Sequence, residues 1–529
     1  MRTILLLVVV ATIAAGKWMN GRPPGGFVNA PFHRLDSRAD ILFPGQTLTT
    51  FSQKFDHFDP LDQRRWDQRV YYNPIHQDKD LASGQDIIFL MIGGEGREPA
   101  KWSGDDNVMI MQYAKQYGAV VFDVEHRFFG DSRPINDMKT SSLRLLTTEQ
   151  ALADLAYFIN SMNQKYKYEN PKSTMCHVPL QVSGINCRRS APLNYALDFY
   201  QYADVVQYVL ESTPITNDKG LSCDQLVRQS FEQMQQLSLT ADGRETLNKK
   251  LRKDSEILSP PFDTKTTKAD INNLFANLYD AHQGMIQYTY DGSSDKTKNY
   301  ATAEQLCRIY NNQDQDMLDN VWDHLVWYNK YWNGVDITEF PNSYDDMIKD
   351  MQETDYDKLG DGGNEARGWM WLCCNEMGWL QTTDTDTVFG STLPMNYFYD
   401  MCSDMFGVDV MNAVVARDNN RAATQYYGGL DDFDATNLCL PNGKFDPWSG
   451  LGYFKADKTK NIVPVVIEGA AHCSDMYPPY DKEPAGLPAA RDQIRAFLEG
   501  IIYDADHPKR SASSLTLTAL LLVVFARLF

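Results

Sequence analysis

A chain of 529 residues is too long for one compact core and calls for more than one structural unit. Its hydrophobic content of 43% and aromatic content of 12% are those of a globular protein, which argues against extensive disorder. A formal net charge of −20 argues against nucleic acid or an anionic membrane surface as partner, and fits a soluble protein of secretory or acidic compartments.

The N-terminus reads as a secretory signal peptide over residues 1–16. Arg2 precedes an apolar run from Ile4 to Ile13, and Ala14-Ala15-Gly16 supply small residues at a cleavage site. Residues 17–50 are rich in Gly and Pro and read as an irregular arm. Strand character begins near Phe55 and is clear at Val70-Tyr71-Tyr72, closed by Asn73-Pro74. The run Ile87 to Ile92, ended by Gly93-Gly94, predicts a buried strand, and Ala119 to Val124 a second. Helical spacing follows over Glu149 to Met162. Such alternation predicts a parallel sheet with helices on both faces.

After Pro214 the character changes. Residues 216–430 carry little strand signal and read as a mostly helical insert. Strand character returns at Ile462 to Ile467, and a last helix is predicted over Pro488 to Ile501. Trp322, Trp327, Trp332, Tyr328 and Tyr331 read as helix-packing residues, with a peptide-stacking wall as the alternative.

The nine cysteines become disulfide candidates in an oxidising compartment, and their odd number leaves one thiol free or paired between chains. No Cys-x-x-Cys pair is present, so no metal site is expected, and nothing in the chain calls for a cofactor. Cys439 and Cys473 flank two loops that a disulfide between them would tie together. At the other end, small residues at 504–506, a polar spacer and an apolar tail from Leu515 to Phe529 match a glycolipid-anchor signal. A single transmembrane tail is the alternative. Membrane attachment is expected only through this tail.

Several segments, in order, resemble one family of serine peptidases, the family that holds lysosomal Pro-X carboxypeptidase, dipeptidyl peptidase II and thymus-specific serine protease. They are Phe55-Asp56-His57-Phe58, Gly93-Gly94-Glu95-Gly96, Glu125 to Ser132, Leu146 to Asp154, Ser212-Thr213-Pro214, Asn442-Gly443 with Asp446-Pro447-Trp448, and Ala471-His472-Cys473. The resemblance implies an α/β-hydrolase domain interrupted by a helical cap that favours unblocked peptide ends, with cleavage next to proline. Its parts would be residues 17–215 and 431–503 for the hydrolase domain, 216–430 for the cap and 504–529 for the anchor signal or tail. A cap disulfide from Cys402 to Cys373 or Cys374, and a homodimer, are further implications.

By the same resemblance Asp446 is the orienting acid and His472 the base of a catalytic triad, and the order nucleophile, Asp, His is that of the hydrolases. Gly93 and Gly94 follow a central strand, where backbone N–H donors for an oxyanion are often placed. The nucleophile is where the chain departs. The family elbow reads Gly-Gly-Ser-Tyr-x-Gly, whereas this chain reads Ser183-Gly184-Ile185-Asn186-Cys187-Arg188-Arg189-Ser190. Counting back from Ser212-Thr213-Pro214 puts the serine on Arg188, and guanidinium stays protonated and cannot attack a carbonyl. Neither flank, Asn186 or Ser190, has the glycine that the tight turn requires. A thiol at Cys187 or a hydroxyl at Ser190 would need a shifted alignment. The sequence therefore predicts a prolyl carboxypeptidase-like protein, catalytically impaired at Arg188, with a serine-type exopeptidase using Ser190, or a peptide-binding surface protein, as alternatives. Expected localisation is the secretory pathway: extracellular, anchored at the cell surface, or lysosomal. Carboxypeptidase and dipeptidyl peptidase preferences are not separable at this level.

Overall fold

The structure, a computed structural model, describes residues 18–23, 41–80, 86–168, 174–176, 194–251, 258–290, 302–333, 340–430, 435–503 and 522–526. The expected signal peptide, the elbow segment with Cys187, Arg188 and Ser190, and most of the expected anchor signal lie outside the described residues.

A mixed sheet organises the first half of the chain. Its strands are β1 (Thr47–Lys54), β2 (Arg65–Asn73), β3 (Ile88–Ile92), β4 (Val120–Val124) and β5 (Thr174–Cys176). Short pairs β6 (Leu258–Ser259) and β7 (Phe340–Pro341), then β8 (Leu438–Gly443) and β9 (Ile462–Ile467), form two smaller parallel sheets. Strand β10 (Leu522–Ala526) falls within the apolar tail and joins the main sheet, whose order is β1-β2-β4-β3-β10-β5. β2 pairs antiparallel with β1 on one side and β4 on the other, while β3 and β4 run parallel from Ile88↔Val120 to Ile92↔Val124.

The unbroken apolar runs of β3 and β4 follow from burial on both faces. Ile88, Leu90, Ile92, Val120, Phe122 and Val124 enter one core, and Phe89, Met91 and Val121 enter the other. The second core is covered by the helices Met109–Tyr117 and Gly486–Tyr503. The first is covered in part by the Thr148–Tyr166 helix, capped by Thr147, whose hydroxyl accepts from the Gln150 N–H. This is the α/β arrangement the sequence predicts, with an antiparallel edge added by β1 and β2.

Three of the motif segments meet in one buried network rather than at a reactive centre. Arg127 grips Asp154 with two N–H groups, Nε to Oδ2 at 2.6 Å and Nη2 to Oδ1 at 2.7 Å. His57 Nε2 lies 2.7 Å from the same carboxylate, and the Gln150 amide joins Asp56 to the His57 N–H. A third Arg127 N–H reaches the Leu145 carbonyl. The network ties the β1–β2 turn, the loop after β4 and the first turns of the long helix into one unit.

From Gln201 to Tyr427 the described chain is mostly helical, with β6, β7 and an irregular stretch at 378–394 between its helices. Helices Cys223–Ser238 and Ala303–Tyr310 are joined by the disulfide Cys223–Cys307. Closing a loop of 84 residues restricts the unfolded chain by about 4–5 kcal/mol in the chain-entropy account. Cys374–Cys402 is the second disulfide among the described residues. The Cys439–Cys473 pairing is a correction: Cys439 is a free thiol, held in β8 with its side chain against apolar neighbours, and burial pushes its pKa up. Trp322, Tyr331 and Trp332 are buried, as helix packing predicts.

Among the described residues no helix is long and apolar enough to cross a membrane.

Candidate active site

Parallel pairing of β8 and β9 runs to Gly443↔Ile467, so the loops leaving their C-terminal ends lie side by side. The approach is close: a Cβ on Gly443 would stand 2.6 Å from the carbonyl oxygens of Ala470 and Ala471. Phe445 N–H donates to the Ala470 carbonyl at 2.9 Å, and Lys444 N–H to that of Ile467 at 3.0 Å. One loop carries Asp446 and the other His472. Cys473, immediately after the histidine, takes the left-handed φ of +59°, a conformation a side-chain-bearing residue adopts at some cost to turn the chain sharply.

Asp446 caps a short helical turn, Pro447–Leu451, where its Oδ1 accepts from the Trp448 N–H at 3.0 Å. Its Oδ2 lies 2.9 Å from His472 Nδ1, with the two residues only 5% and 0% exposed. With a carboxylate as acceptor, Nδ1 is the donating ring nitrogen, and in the neutral ring this leaves the lone pair on Nε2. That is the tautomer a general base needs to take a proton from a nucleophile. The pair expected from the sequence is therefore brought together, in the required orientation.

Other groups that fix this pair were not signalled by any motif. The His472 N–H donates to the Gln287 carbonyl at 3.0 Å, and the Tyr288 ring stands edge-on to the imidazole at 5.8 Å. Gln287 Oε1 accepts from Trp448 Nε1 at 3.1 Å and from the Tyr202 hydroxyl. Gln287 closes the helix Lys268–Gln287, so the helical region itself contributes to the site.

The segment Trp18–Arg22 is equally unannounced. Expected as part of an irregular arm, it is buried beside the site. Trp18 meets Tyr288 edge-on at 6.2 Å, and the fully buried Arg22 donates to the Glu95 carbonyl from Nε and Nη2 at 3.2 and 3.0 Å. Arg22 Nη2 also pairs with Glu365 at 2.7 Å. Its signal in the sequence is only an aromatic and a basic residue directly after the expected cleavage site.

Gly93 does not fit the oxyanion role. Its N–H donates to the Val124 carbonyl at 2.7 Å, which commits it to the backbone between β3 and β4. Cys187, Arg188 and Ser190, outside the described residues, receive no placement. No group of three or more metal-ligating side chains occurs among the described residues.

Comparison with known proteins gives the same direction. Residues 53–494 match the family described as "Serine carboxypeptidase S28". The chain is 45% identical over 511 residues to "Putative serine protease F56F10.1" of Caenorhabditis elegans, covering 92% of this chain and 91% of that protein. It is 30% identical over 509 residues to a second protein of that organism, "Putative serine protease K12H4.7", covering 92% and 94%. Against the lysosomal Pro-X carboxypeptidase of Pongo abelii it is 26% identical over 469 residues, covering 83% and 85%. A match that runs from β1 to the last long helix, over both loops of the acid–base pair, establishes that this chain belongs to the S28 family of serine carboxypeptidases.

Proposed function

We propose that this protein is a secretory-pathway S28 homologue that binds peptides and has lost hydrolysis at the nucleophile. The observation that carries the reading is the buried Asp446–His472 pair at 2.9 Å, set against a sequence that offers Arg188 where the serine belongs. In this reading the helical region from Gln201 to Tyr427 is a cap over the cleft, Gly94 faces a bound carbonyl, and Arg188 holds a peptide carboxylate through its guanidinium fork. The signal peptide at 1–16 delivers the chain to the secretory pathway.

A second reading is favoured by the complete geometry of the acid–base pair: a working serine exopeptidase that uses Ser190. The two readings separate on the fate of a peptide. Incubated with Ala-Pro-Gly-Gly, the purified protein is expected to bind the peptide and return it uncleaved. Arg188→Ala should then weaken binding by about tenfold or more, the factor carried by one charge-assisted pair. Hydrolysis that disappears in His472→Ala would establish the second reading instead. Equal binding by wild type and Arg188→Ala would remove the carboxylate role from Arg188.

A further inference from the structure

Two buried histidines meet inside the helical region, and neither takes part in the acid–base pair. His282 lies on the helix Lys268–Gln287 and His324 on the helix Met317–Asn333. Their ring centroids stand 4.4 Å apart with the planes tilted by 40°, and both residues are fully buried. The helices Cys223–Ser238 and Ala303–Tyr310 close two further sides. From them Phe231 meets His282 edge-on at 5.3 Å, and the Tyr310 ring stands 5.5 Å from it. Phe389 faces His282 at 5.8 Å and Trp327 faces His324 at 5.9 Å. Two phenylalanines would fill this space without bringing in polar atoms that burial penalises.

The hydrogen bonds hold His282 in its neutral form. Its Nδ1 lies 2.7 Å from the Leu278 carbonyl, which can only accept, so Nδ1 carries the hydrogen. In the neutral ring Nε2 then accepts from the Tyr310 hydroxyl at 2.7 Å. A second proton on Nε2 would oppose that hydroxyl hydrogen and place a cation beside the His324 ring. The titratable groups facing the stack are Tyr310 and the two histidines themselves. The carboxylates nearest in sequence, Asp280 and Asp323, accept instead from the amides of Gln283 and Gln315. Burial pushes His282 down from 6.5 to about 4, with the Leu278 carbonyl opposing in part. Burial, and next His282, hold His324 well below 6.5.

We propose that the His282–His324 stack is an acid-sensing joint, at which protonation parts the helices Lys268–Gln287 and Met317–Asn333. Each histidine binds a proton more readily once released than in the fold. Its contribution to stability is therefore present above pH 6.5 and is lost as the pH falls below it. Release of His282 alone makes opening about twentyfold more favourable at pH 5 than at pH 7. The consequence reaches the site, because the last carbonyl of the same helix, that of Gln287, holds the His472 N–H.

The test is amide hydrogen exchange on the intact chain at pH 7 and pH 5, corrected for the intrinsic effect of pH on exchange. In wild type, opening of 268–287 and 317–333 should rise about twentyfold or more on acidification, while the helix Gly486–Tyr503 changes far less. The double variant His282→Gln, His324→Phe should lose most of that rise. A rise kept by the double variant, or one shared equally by Gly486–Tyr503, overturns the proposal. A second arm needs wild type alone: exchange of the imidazole C–H, followed by mass, titrates each histidine separately. His282 and His324 should both titrate well below 6.5. An ordinary titration near 6.5 at either position overturns the joint, even if the double variant fails to fold.

Discussion

A chain carrying Asn186→Gly, Arg188→Ser and Ser190→Gly together is expected to become reactive toward a fluorophosphonate and to hydrolyse Ala-Pro-Gly-Gly. The gain over wild type should be on the order of a thousandfold or more, since a triad lacking its nucleophile retains little of its rate. The acid–base pair that such a serine would need is already assembled. Asp446 fixes the His472 tautomer at 2.9 Å, and the Gln287 carbonyl holds the histidine backbone at 3.0 Å. The glycines matter as much as the serine, because larger side chains two residues either side of the nucleophile clash in the tight strand-to-helix turn. Adding His472→Ala should abolish the gain. Active-site titration with the probe checks it. A folded but unreactive triple variant would mean that the elbow does not present its nucleophile to His472.

Asp154→Ala is expected to be the most damaging single change around the main sheet. Asp154 is the hub at which Arg127 and His57 converge, and the Arg127 side chain is fully buried. Deleting the carboxylate strands that guanidinium without a counter-charge, a loss of about 3–5 kcal/mol for a buried pair. Asp492→Ala is the control. Its own carboxylate stands largely in water and its partner Arg495 is partly exposed, so its removal should change stability by about 1 kcal/mol at most. Denaturant unfolding of the three proteins checks this. Equal midpoints for Asp154→Ala and wild type would show that the Arg127 charge finds another partner.

The local elements were legible because local patterns specify them. Ile87 to Ile92 and Ala119 to Val124 are apolar without a break, and both become strands buried on two faces. The Glu149 to Met162 spacing becomes the longer helix Thr148–Tyr166. The acid–base pair was legible too, since the resemblance fixed Asp446 and His472 residue by residue. What the sequence hid depends on contacts between distant positions. Nothing in a helix ending at Gln287 reveals that its last carbonyl will hold His472, 185 residues later. Nor does Trp18-Met19-Asn20-Gly21-Arg22 announce that it will be buried against Tyr288, Trp448 and Glu95. The motif residues Asp56, His57, Arg127 and Asp154 carry no sign in sequence that they will join one buried network. Cys439 and Cys473 flank the right loops, but proximity in sequence to two adjoining loops does not supply the geometry of a bond.

The most direct measurement is the intact mass of the purified wild-type protein after a fluorophosphonate, at acidic and at neutral pH. An active S28 peptidase is labelled in parallel. The account predicts no adduct on this chain while the control is fully modified. A stoichiometric adduct mapped to Ser190 would contradict it, and would make the protein a working serine peptidase.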